Sequence, residues 1–349
     1  MCLSRPRAAR RAKLVFVSLR QLAIPTGTPV EHLGRADIRF DERTQALVPI
    51  GDIELVNGTV QVDLALSGAR SFPGLAWRIG RDSYESFFVR PHQSGHPDSV
   101  QYTPVFNDVS AWQLYTGSGF WASIELPRDR WFSLRVCFAG DRGEAFVDDL
   151  ETPALVFSRL RLPIGAGGIG IQASPDGVQY ANFAYDPAVP KLRGAPPPVE
   201  ELQPGTVPGW WVSNLVSEGI APAVARTWTY LQAEPSGLAN LARVHPLGVT
   251  LNTVFARTTL VAASAGIRAM DLGFSDRAVV YLNGRPLFAG RDDYRSRDYR
   301  FLGSIGYWDT VFLPLAQGDN ELVVAVSETF GGWGVQARLQ DPTGITFKR

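Results

Sequence analysis

Apolar and polar residues alternate along many short segments of this chain. The segment at 58–66, GTVQVDLAL, places Val60, Val62, Leu64 and Leu66 on one face and Thr59, Gln61, Asp63 and Ala65 on the other. A period of two residues is that of a strand with one buried face. The segment therefore predicts a half-buried antiparallel strand.

Similar segments recur along the whole chain, separated by Gly, Pro and Asp. They are PGLAWRIG, YESFFVR, GFWASIEL, RWFSLRVCFAG, GEAFVDD, GGIGIQA and VQYANFAYD in the first half, and TVFARTTLVA, IRAMDLGFSD, AVVYLNGRPLFAG, WDTVFLPL, NELVVAVSE and GWGVQARL in the second. Asn283-Gly284 predicts a two-residue hairpin turn, because both residues tolerate positive φ. A helical turn is expected only near 235–244. Regular short strands with polar turns predict an all-β protein built of β-sandwich, or jelly-roll, domains.

A proline-rich stretch, PAVPKLRGAPPPVEELQPGTVP at 187–208, interrupts this rhythm. Proline removes backbone donors and favours extended conformations, so the stretch predicts a semi-rigid linker. The chain of 349 residues is long enough for two domains, each with its own core. The predicted organisation is a mobile or signal-like N-terminus at 1–25, a sandwich at 26–186, the linker at 187–208 and a second sandwich at 209–349.

Composition and charge exclude several classes of partner. Lys plus Arg and Asp plus Glu are 34 each, so the net charge does not favour nucleic acid or an anionic membrane. No apolar run approaches the ~18 residues of a membrane span. Cys2 and Cys137 are the only cysteines, which leaves no disulfide framework. The oligomeric state stays open.

The N-terminal segment MCLSRPRAARRAKLVFVSL has the basic head of an export signal. Its apolar part, LVFVSL, is shorter than the ~7 to 15 residues of a normal signal core. The segment favours an exported protein, with a truncated start or a cytoplasmic location as alternatives.

The span RWFSLRVCFAGDRGEAFVDDLETPALVF at 131–157 carries a resemblance in the first domain. A Trp opens a strand, a Gly turn follows, and the next strand ends in V-D-D. Residues 30–186 thereby resemble concanavalin A-like and laminin G-like jelly rolls, and most closely the branch that includes bacterial 3-keto-disaccharide hydrolase domains. The resemblance implies a fold more than an activity.

The second domain carries V-Y-L-N-G, an aromatic-rich loop and L-x-x-G-D-N-E-L-V-V-A-V. Through these elements residues 209–341 resemble the galactose-binding-like jelly roll attached to β-galactosidases and β-glucuronidases. Such domains are often structural supports, so the resemblance implies support or auxiliary binding.

The stretch YESFFVRPHQSGHPDSVQYTPVFN at 84–107 gathers polar side chains between two aromatic-rich segments. Sugars need planar donors and acceptors for neighbouring hydroxyl groups and an aromatic face for stacking. The predicted ligand-binding residues, in a concave groove of the first domain, are Arg78, Glu85, Arg90, His92, Gln93, Gln101, Tyr102, Asn107 and Gln113. The alternative is a polar loop whose side chains satisfy its own backbone groups.

Catalysis and metal binding have less support in the sequence. Glu85 and His92 are the candidate catalytic residues, although the E-x-D-x-E strand motif of retaining glycosidases in this fold class is absent. His92 and His96 have the spacing of a zinc pair on a helix, but the surrounding Pro and Gly argue against a helix. No cofactor is expected, while a structural calcium ion remains possible.

The second domain offers its own candidates. The loop RDDYRSRDYRFLGSIGYWD at 291–309 combines Arg, Tyr and Trp with four aspartates, and a Trp follows two glycines at 331–332. The candidates are Arg297, Tyr299, Trp308 and Trp333. The alternative is an ordered loop held by internal ion pairs.

The sequence therefore predicts a carbohydrate-binding protein that takes an oligosaccharide or polysaccharide. Two other functions stay open: a glycoside or keto-sugar hydrolase, and a structural or protein-interaction module without a small ligand.

Overall fold

The computed structural model describes residues 13–22, 24, 26–44, 46–175, 177–195, 198, 201–298 and 302–349. Contacts divide the chain into two compact units. The first unit takes the residues up to Tyr102 and Gly117–Pro197, and the second takes Thr103–Thr116 and Pro198–Arg349. Within the described residues the regular structure is β-strand apart from three single-turn 3₁₀ helices, so the predicted all-β class is confirmed.

Fifteen strands and one 3₁₀ helix, Pro91–Gln93, precede the predicted linker. The strands are β1 Val15–Val17, β2 Gly27–His32, β3 Arg35–Phe40, β4 Leu47–Leu55, β5 Gly58–Leu66, β6 Gly74–Ile79, β7 Tyr84–Val89, β8 Val100–Phe106, β9 Val109–Ser110, β10 Trp121–Ala122, β11 Trp131–Ala139, β12 Arg142–Val147, β13 Leu155–Val156, β14 Gly167–Gln172 and β15 Val178–Asp186.

These strands form two antiparallel sheets. Sheet I has the order β13-β12-β11-β5-β15-β3-β2, with β1 beside β15, and sheet II has the order β10-β8-β7-β6-β14-β4, with β9 beside β8. The rings of Trp77 on β6 and Phe138 on β11 stack with centroids 5.9 Å apart, so the two sheets pack face to face. The antiparallel strand predicted at β5 is present, and Val60, Val62 and Leu64 are fully buried in this core. The prediction that only one face of β5 is buried is wrong, because Gln61 and Asp63 on the other face are each only 7% exposed.

After Pro198 the described residues form eleven strands and the 3₁₀ helices Pro222–Val224 and Leu241–Arg243. The strands are β16 Gly209–Ser213, β17 Trp228–Gln232, β18 Ala239–Asn240, β19 Thr253–Ala262, β20 Gly266–Ser275, β21 Arg277–Leu282, β22 Arg285–Arg291, β23 Asp309–Leu315, β24 Gly318–Ser327, β25 Gly334–Leu339 and β26 Ile345–Lys348.

Two further antiparallel sheets enclose the core of the second unit. Sheet III has the order β17-β16-β19-β24-β21-β22, with β26 beside β19, and sheet IV has the order β18-β25-β20-β23. Trp210 and Val324 of sheet III and Leu272 of sheet IV are fully buried in one hydrophobic cluster. The second unit is therefore also a two-sheet arrangement around a hydrophobic core, and a smaller cluster that includes Phe255 and Val323 is separate from it.

The hairpin predicted at Asn283-Gly284 is confirmed. These two residues connect β21 to β22, and their φ angles are 50° and 78°. A second two-residue turn, Leu33-Gly34, connects β2 to β3 with φ angles of 46° and 70°. The sequence did not predict this hairpin, because Leu33 occupies a left-handed position that Asn or Gly usually takes.

Several strand boundaries differ from the predictions. Strand β1, Val15–Val17, lies in the segment assigned to the N-terminus and pairs with β15, so sheet I begins before residue 26. The segment GFWASIEL provides only the two-residue strand β10. Thr103–Thr116 belongs to the second unit, although it lies far before the predicted linker. This assignment depends on contacts between residues that are distant in sequence, so the local pattern of the chain could not predict it.

The ends of the proline-rich stretch are hydrogen-bonded to strands. The buried Glu144 carboxylate of β12 accepts from the backbone N–H groups of Arg193, at 2.9 Å, and Gly194, at 2.8 Å. At the other end, the Val207 N–H donates to the carbonyl of Ala337 at 2.9 Å. The contact division falls inside this stretch, between Pro197 and Pro198.

Among the described residues there is no helix long and apolar enough to cross a membrane.

Candidate functional site

Glu85 and Tyr102 form a hydrogen-bonded pair in the interior of the first unit. The Tyr102 hydroxyl donates to Glu85 Oε2 at 2.7 Å and accepts from the Arg161 N–H at 3.0 Å, while the Leu162 N–H donates to Glu85 Oε1 at 2.8 Å. Phe120 stacks on the Tyr102 ring, with centroids 5.9 Å apart. Burial raises the pKa of Glu85, and these donors lower it in part. Both side chains are fully buried, so they stabilise the core and are not exposed to a ligand.

The loop after β7 is closed by its own polar groups. Arg90 forms a buried ion pair with Asp98 at the other end of the loop. His92 is half-buried and its ring contacts the Phe72 ring edge-on, with centroids 5.2 Å apart. Burial and the nearby Arg90 guanidinium lower the pKa of His92 to about 4. Gln93 is also half-buried. The alternative of a self-satisfied polar loop describes this segment better than a groove does.

Arg78 and Gln101 are also buried, at different places. Arg78 has a φ of 51° beside a bulge in its pairing with β14, and its guanidinium donates to the Gly140 carbonyl. Arg78 and Arg90, both predicted for one groove, therefore have different partners, Gly140 and Asp98. Gln101 is 1% exposed, and its Nε2 has no hydrogen-bond partner among the described residues.

Asn107 and Gln113 belong to the second unit and not to the rim of a first-domain groove. Asn107 Nδ2 donates to the Ala242 carbonyl at 2.7 Å. Gln113 Nε2 donates to the Leu302 carbonyl at 2.8 Å, and the side chain is fully buried. The sequence missed this because Asn107 and Gln113 follow directly on β8, while their side chains bond residues 135 and 189 positions later.

Arg297, the charged candidate of the second domain, is ion-paired within its own loop. Arg297 lies 3.0 Å from Asp292 Oδ1 and 2.5 Å from Asp309 Oδ2. Burial raises the pKa of Asp292 to about 7, although the nearby Arg297 lowers it. This loop therefore contains the internal ion pairs of the alternative prediction.

The two predicted tryptophans of the second unit have different environments. Trp308 is 46% exposed, and its Nε1 donates to the Ser304 carbonyl at 2.9 Å. Trp333 is fully buried, and its Nε1 donates to the Val326 carbonyl at 3.1 Å. Trp333 is therefore a core residue, while Trp308 retains an accessible ring. Tyr299 lies outside the described residues.

A different polar surface lies on the outer face of sheet I. The Asp63 carboxylate of β5 accepts three hydrogen bonds from three other strands of sheet I. The donors are Arg35 Nη1 at 2.9 Å, Ser133 Oγ at 2.6 Å and Asn182 Nδ2 at 2.8 Å. Strands β11 and β15 flank β5, and β3 is the next strand beyond β15, so outward side chains of all three can converge on one carboxylate.

The polar row continues along β5 and β11. Arg135 donates to Gln61 Oε1 from both Nε, at 2.9 Å, and Nη2, at 2.7 Å. Gln61 and Asp63 are two residues apart and therefore share a face. Arg135 and Ser133 are their direct neighbours across the strand pair. We call the seven residues Arg35, Gln61, Asp63, Trp131, Ser133, Arg135 and Asn182 the Asp63 face.

Trp131 borders this row and is half-buried. The Arg35 guanidinium carbon lies 5.4 Å from the centre of the Trp131 ring, within the range of a cation–π contact. Trp131 Nε1 donates to the His32 carbonyl at 3.1 Å, which fixes the orientation of the indole. Asn182 and Arg35 are exposed, so the Asp63 face combines an aromatic ring with accessible polar groups.

Two cavities are lined by residues of β3 and β15, and the second of them opens beside the Asp63 face. One has a volume of about 640 Å³ and includes Arg39 and Gln179 in its wall. The other has a volume of about 420 Å³ and includes Asp37 and Asn182. Both volumes lie within the range of small-molecule sites.

The sequence contained a partial signal for the Asp63 face. The alternation in 58–66 had already placed Gln61 and Asp63 on the face opposite the core, and the resemblance had singled out the Trp that opens β11. Arg35 and Asn182 could not be assigned to this surface, because their strands are adjacent only in the folded sheet. In the part of the chain that the structure describes, no cluster of three or more His, Cys, Asp or Glu residues is arranged to hold a metal ion.

No protein-family model matches this sequence, and no curated protein matches it either. Among solved structures, the chain is similar to the carbohydrate-binding module CBM66 from Bacillus subtilis, with 13% identity, 50% of this chain and 94% of that chain covered, and a TM-score of 0.34. It is also similar to the Caenorhabditis elegans galectin LEC-6, with 16% identity, 42% of this chain and 91% of that chain covered, and a TM-score of 0.29.

Proposed function

We propose that the protein binds carbohydrate through the Asp63 face of the first unit. The observation that carries this proposal is the Asp63 carboxylate, held by Arg35, Ser133 and Asn182 beside the half-buried Trp131 ring. A pyranose presents neighbouring hydroxyl groups along its edge and apolar C–H groups on its faces. Planar carboxylate, amide and guanidinium groups match the hydroxyl pairs, and an aromatic ring matches the C–H face.

The hydrogen bonds within the Asp63 face hold its side chains before any ligand arrives. Arg135 is fixed by two bonds to Gln61, and Asp63 is fixed by donors from three strands. Fixing polar groups on a sheet lowers the conformational entropy that binding has to overcome. A sheet face with a cavity beside it suits an oligosaccharide or polysaccharide segment better than a single enclosed sugar.

This proposal keeps the predicted class of ligand but uses different residues. Glu85, Tyr102 and Gln101 are buried, so the residues predicted from 84–107 do not support a binding surface. The hydrolase alternative depended on Glu85 and His92. Glu85 is fully buried, and the half-buried His92 ring packs against Phe72 in the closed loop, so no reaction is proposed.

Two finer assignments belong to the same proposal. The first unit is assigned to the concanavalin A-like and laminin G-like sandwiches, and the second to the galactose-binding-like jelly rolls found in β-galactosidases. They are supported by the sequence motifs and by the pair of antiparallel sheets in each unit. In this arrangement the second unit acts as a support or an auxiliary binder.

A glycan array followed by calorimetry on the full chain tests the proposed function. We expect the wild type to bind at least one glycan, and Asp63→Asn and Trp131→Ala to weaken that binding about tenfold or more after correction for the unfolded fraction, which thermal unfolding measures. Asp52→Asn is the matched control, because Asp52 is an exposed carboxylate on β4 of sheet II. The proposal fails if no glycan binds, or if the Asp63 and Trp131 variants bind like the control.

A further inference from the structure

Asp37 is a buried carboxylate that faces a cavity without a hydrogen-bond partner. Its side chain is on β3 and is 2% exposed. Neither Oδ1 nor Oδ2 has a hydrogen-bond partner among the described residues. Both oxygens of a buried carboxylate normally accept hydrogen bonds, because removing them from water without partners is costly. An unpartnered pair of acceptors therefore requires a physical explanation.

The cavity beside Asp37 has the size of a ligand site. Its volume is about 420 Å³, and its wall includes Phe16, Ser18, Gln21, Asp37 and Asn182. Phe16 on β1 is 64% exposed, so its ring provides an apolar surface at this cavity. Ser18, Gln21 and Asn182 provide further hydroxyl and amide groups. The cavity thus combines two free acceptor atoms, an exposed ring and neutral polar groups.

The charges around Asp37 restrict the class of ligand. His32 on β2, Arg20 in the segment after β1 and Arg39 on β3 all act electrostatically on the carboxylate. Arg20 Nε donates to the Asp37 carbonyl at 3.2 Å, so its charge lies close to this residue. A cationic ligand would be repelled by these groups, and an anionic ligand would be repelled by the two carboxylate oxygens. A neutral ligand that donates two hydrogen bonds fits both conditions.

We propose that the Asp37 cavity is a subsite for one neutral sugar unit, in which the two Asp37 oxygens accept hydrogen bonds from a pair of neighbouring hydroxyl groups. This inference rests on the proposed function and deepens it. Asn182 connects the two sites, because it contributes to the cavity wall and its Nδ2 donates to Asp63. A saccharide bound on the Asp63 face therefore places a terminal unit in the cavity, with Phe16 against its C–H face.

The test compares Asp37→Asn, Glu31→Gln and Asp63→Asn in the full chain by calorimetry. The ligands are the glycan selected on the array and its deoxy analogues, in which single hydroxyl groups are replaced by hydrogen. Asp37→Asn retains the size of the side chain and removes one acceptor. We expect it to weaken binding about tenfold or more. We also expect the wild type to lose a similar factor for the deoxy analogue that lacks a hydroxyl bound by Asp37, while Asp37→Asn discriminates less between the glycan and that analogue. Glu31→Gln is the matched control on the neighbouring strand β2, because Glu31 is exposed and the variant loses the same charge.

The outcomes separate this inference from the proposed function. If Asp63→Asn weakens binding but Asp37→Asn binds like Glu31→Gln, the subsite is wrong and the Asp63 face stands. If the wild type binds no glycan, both are wrong. A carboxyl ¹³C NMR titration of the wild type provides a measurement that does not depend on a variant. The Asp37 resonance is expected to shift on adding the glycan, and an unchanged resonance under saturating glycan would overturn the subsite.

Discussion

Tyr102 Oη lies 2.7 Å from Glu85 Oε2 inside the first unit, and the same hydroxyl accepts the Arg161 N–H at 3.0 Å. One phenol thus satisfies a buried carboxylate and a backbone donor together. Glu85 and Tyr102 were predicted from the sequence to line a sugar-binding groove, and this buried pairing gives them a structural role instead.

The first prediction is that Tyr102→Phe destabilises the protein by about 1 to 3 kcal/mol, because it leaves a buried Glu85 oxygen and the Arg161 N–H without their partner. Glycan binding should be unchanged after correction for the unfolded fraction. Chemical denaturation measures the free energy of unfolding, and Tyr185→Phe, at a half-buried tyrosine on β15, is the control. An unaltered unfolding midpoint would contradict the structural role given to Tyr102.

The second prediction concerns the two tryptophans of the second unit. Trp333→Ala should cost about 3 to 5 kcal/mol of stability, because it leaves a cavity in the core. Trp308→Ala, at a partly exposed ring, should cost much less. Thermal and chemical unfolding of the two variants provides the comparison. Equal stability of both variants would show that Trp333 does not anchor the core.

The third prediction concerns pH and Glu328. Burial and the neighbouring Asp276 carboxylate raise the pKa of Glu328 to about 8. An unfolded Glu has a pKa of about 4.3, so the folded state holds this proton more tightly. The resulting stabilisation is complete below about pH 4.3 and is lost as pH rises through about 8.

We therefore expect the unfolding midpoint of wild type to fall between pH 5 and 8 more steeply than that of Glu328→Gln, in which the group cannot ionise. Glu321→Gln, at an exposed residue of β24, should retain the wild-type slope. The measurement is the unfolding midpoint as a function of pH across that range. Identical slopes for wild type and Glu328→Gln would contradict the prediction that Glu328 is protonated in the folded state.

The fourth prediction separates charge from planarity at Arg35. Arg35→Lys keeps a positive charge near Asp63 but loses the planar group over the Trp131 ring. Binding of the array-selected glycan should weaken several-fold, while stability should hardly change because exposed ion pairs contribute about 0 to 1 kcal/mol. Arg226→Lys, at an exposed arginine of the second unit, is the control for calorimetry. If Arg35→Lys binds the glycan with wild-type affinity, the Arg35 guanidinium is not part of the binding surface.

The fifth prediction concerns the proline-rich stretch. Its ends are hydrogen-bonded to Glu144 on one side and to Ala337 on the other, so limited proteolysis should cleave between 195 and 204. The two fragments should remain associated under native conditions, because Thr103–Thr116 in the first fragment belongs to the second unit. Size-exclusion chromatography of the nicked protein tests this, and separation into two species would refute it.

The sequence by itself determined the all-β class, because alternation of apolar and polar residues is a local property of each strand. It also determined the Asn283-Gly284 turn, since positive φ depends mainly on the residue itself. Gln61 and Asp63 could be placed on the outward face of β5 by their spacing alone.

Only the tertiary structure decided which strands are neighbours, and the sites depend on that. Arg35, Ser133 and Asn182 meet at Asp63 because β11 and β15 flank β5 and β3 lies next to β15, and their separations of 28, 70 and 119 positions have no local signature. For the same reason, the polar residues of 84–107 looked accessible in sequence, while the fold buries Glu85 and Tyr102 between the two sheets and assigns Asn107 to the second unit. Periodicity specifies which face of a strand is apolar, but the pairing of distant strands specifies what covers the other face.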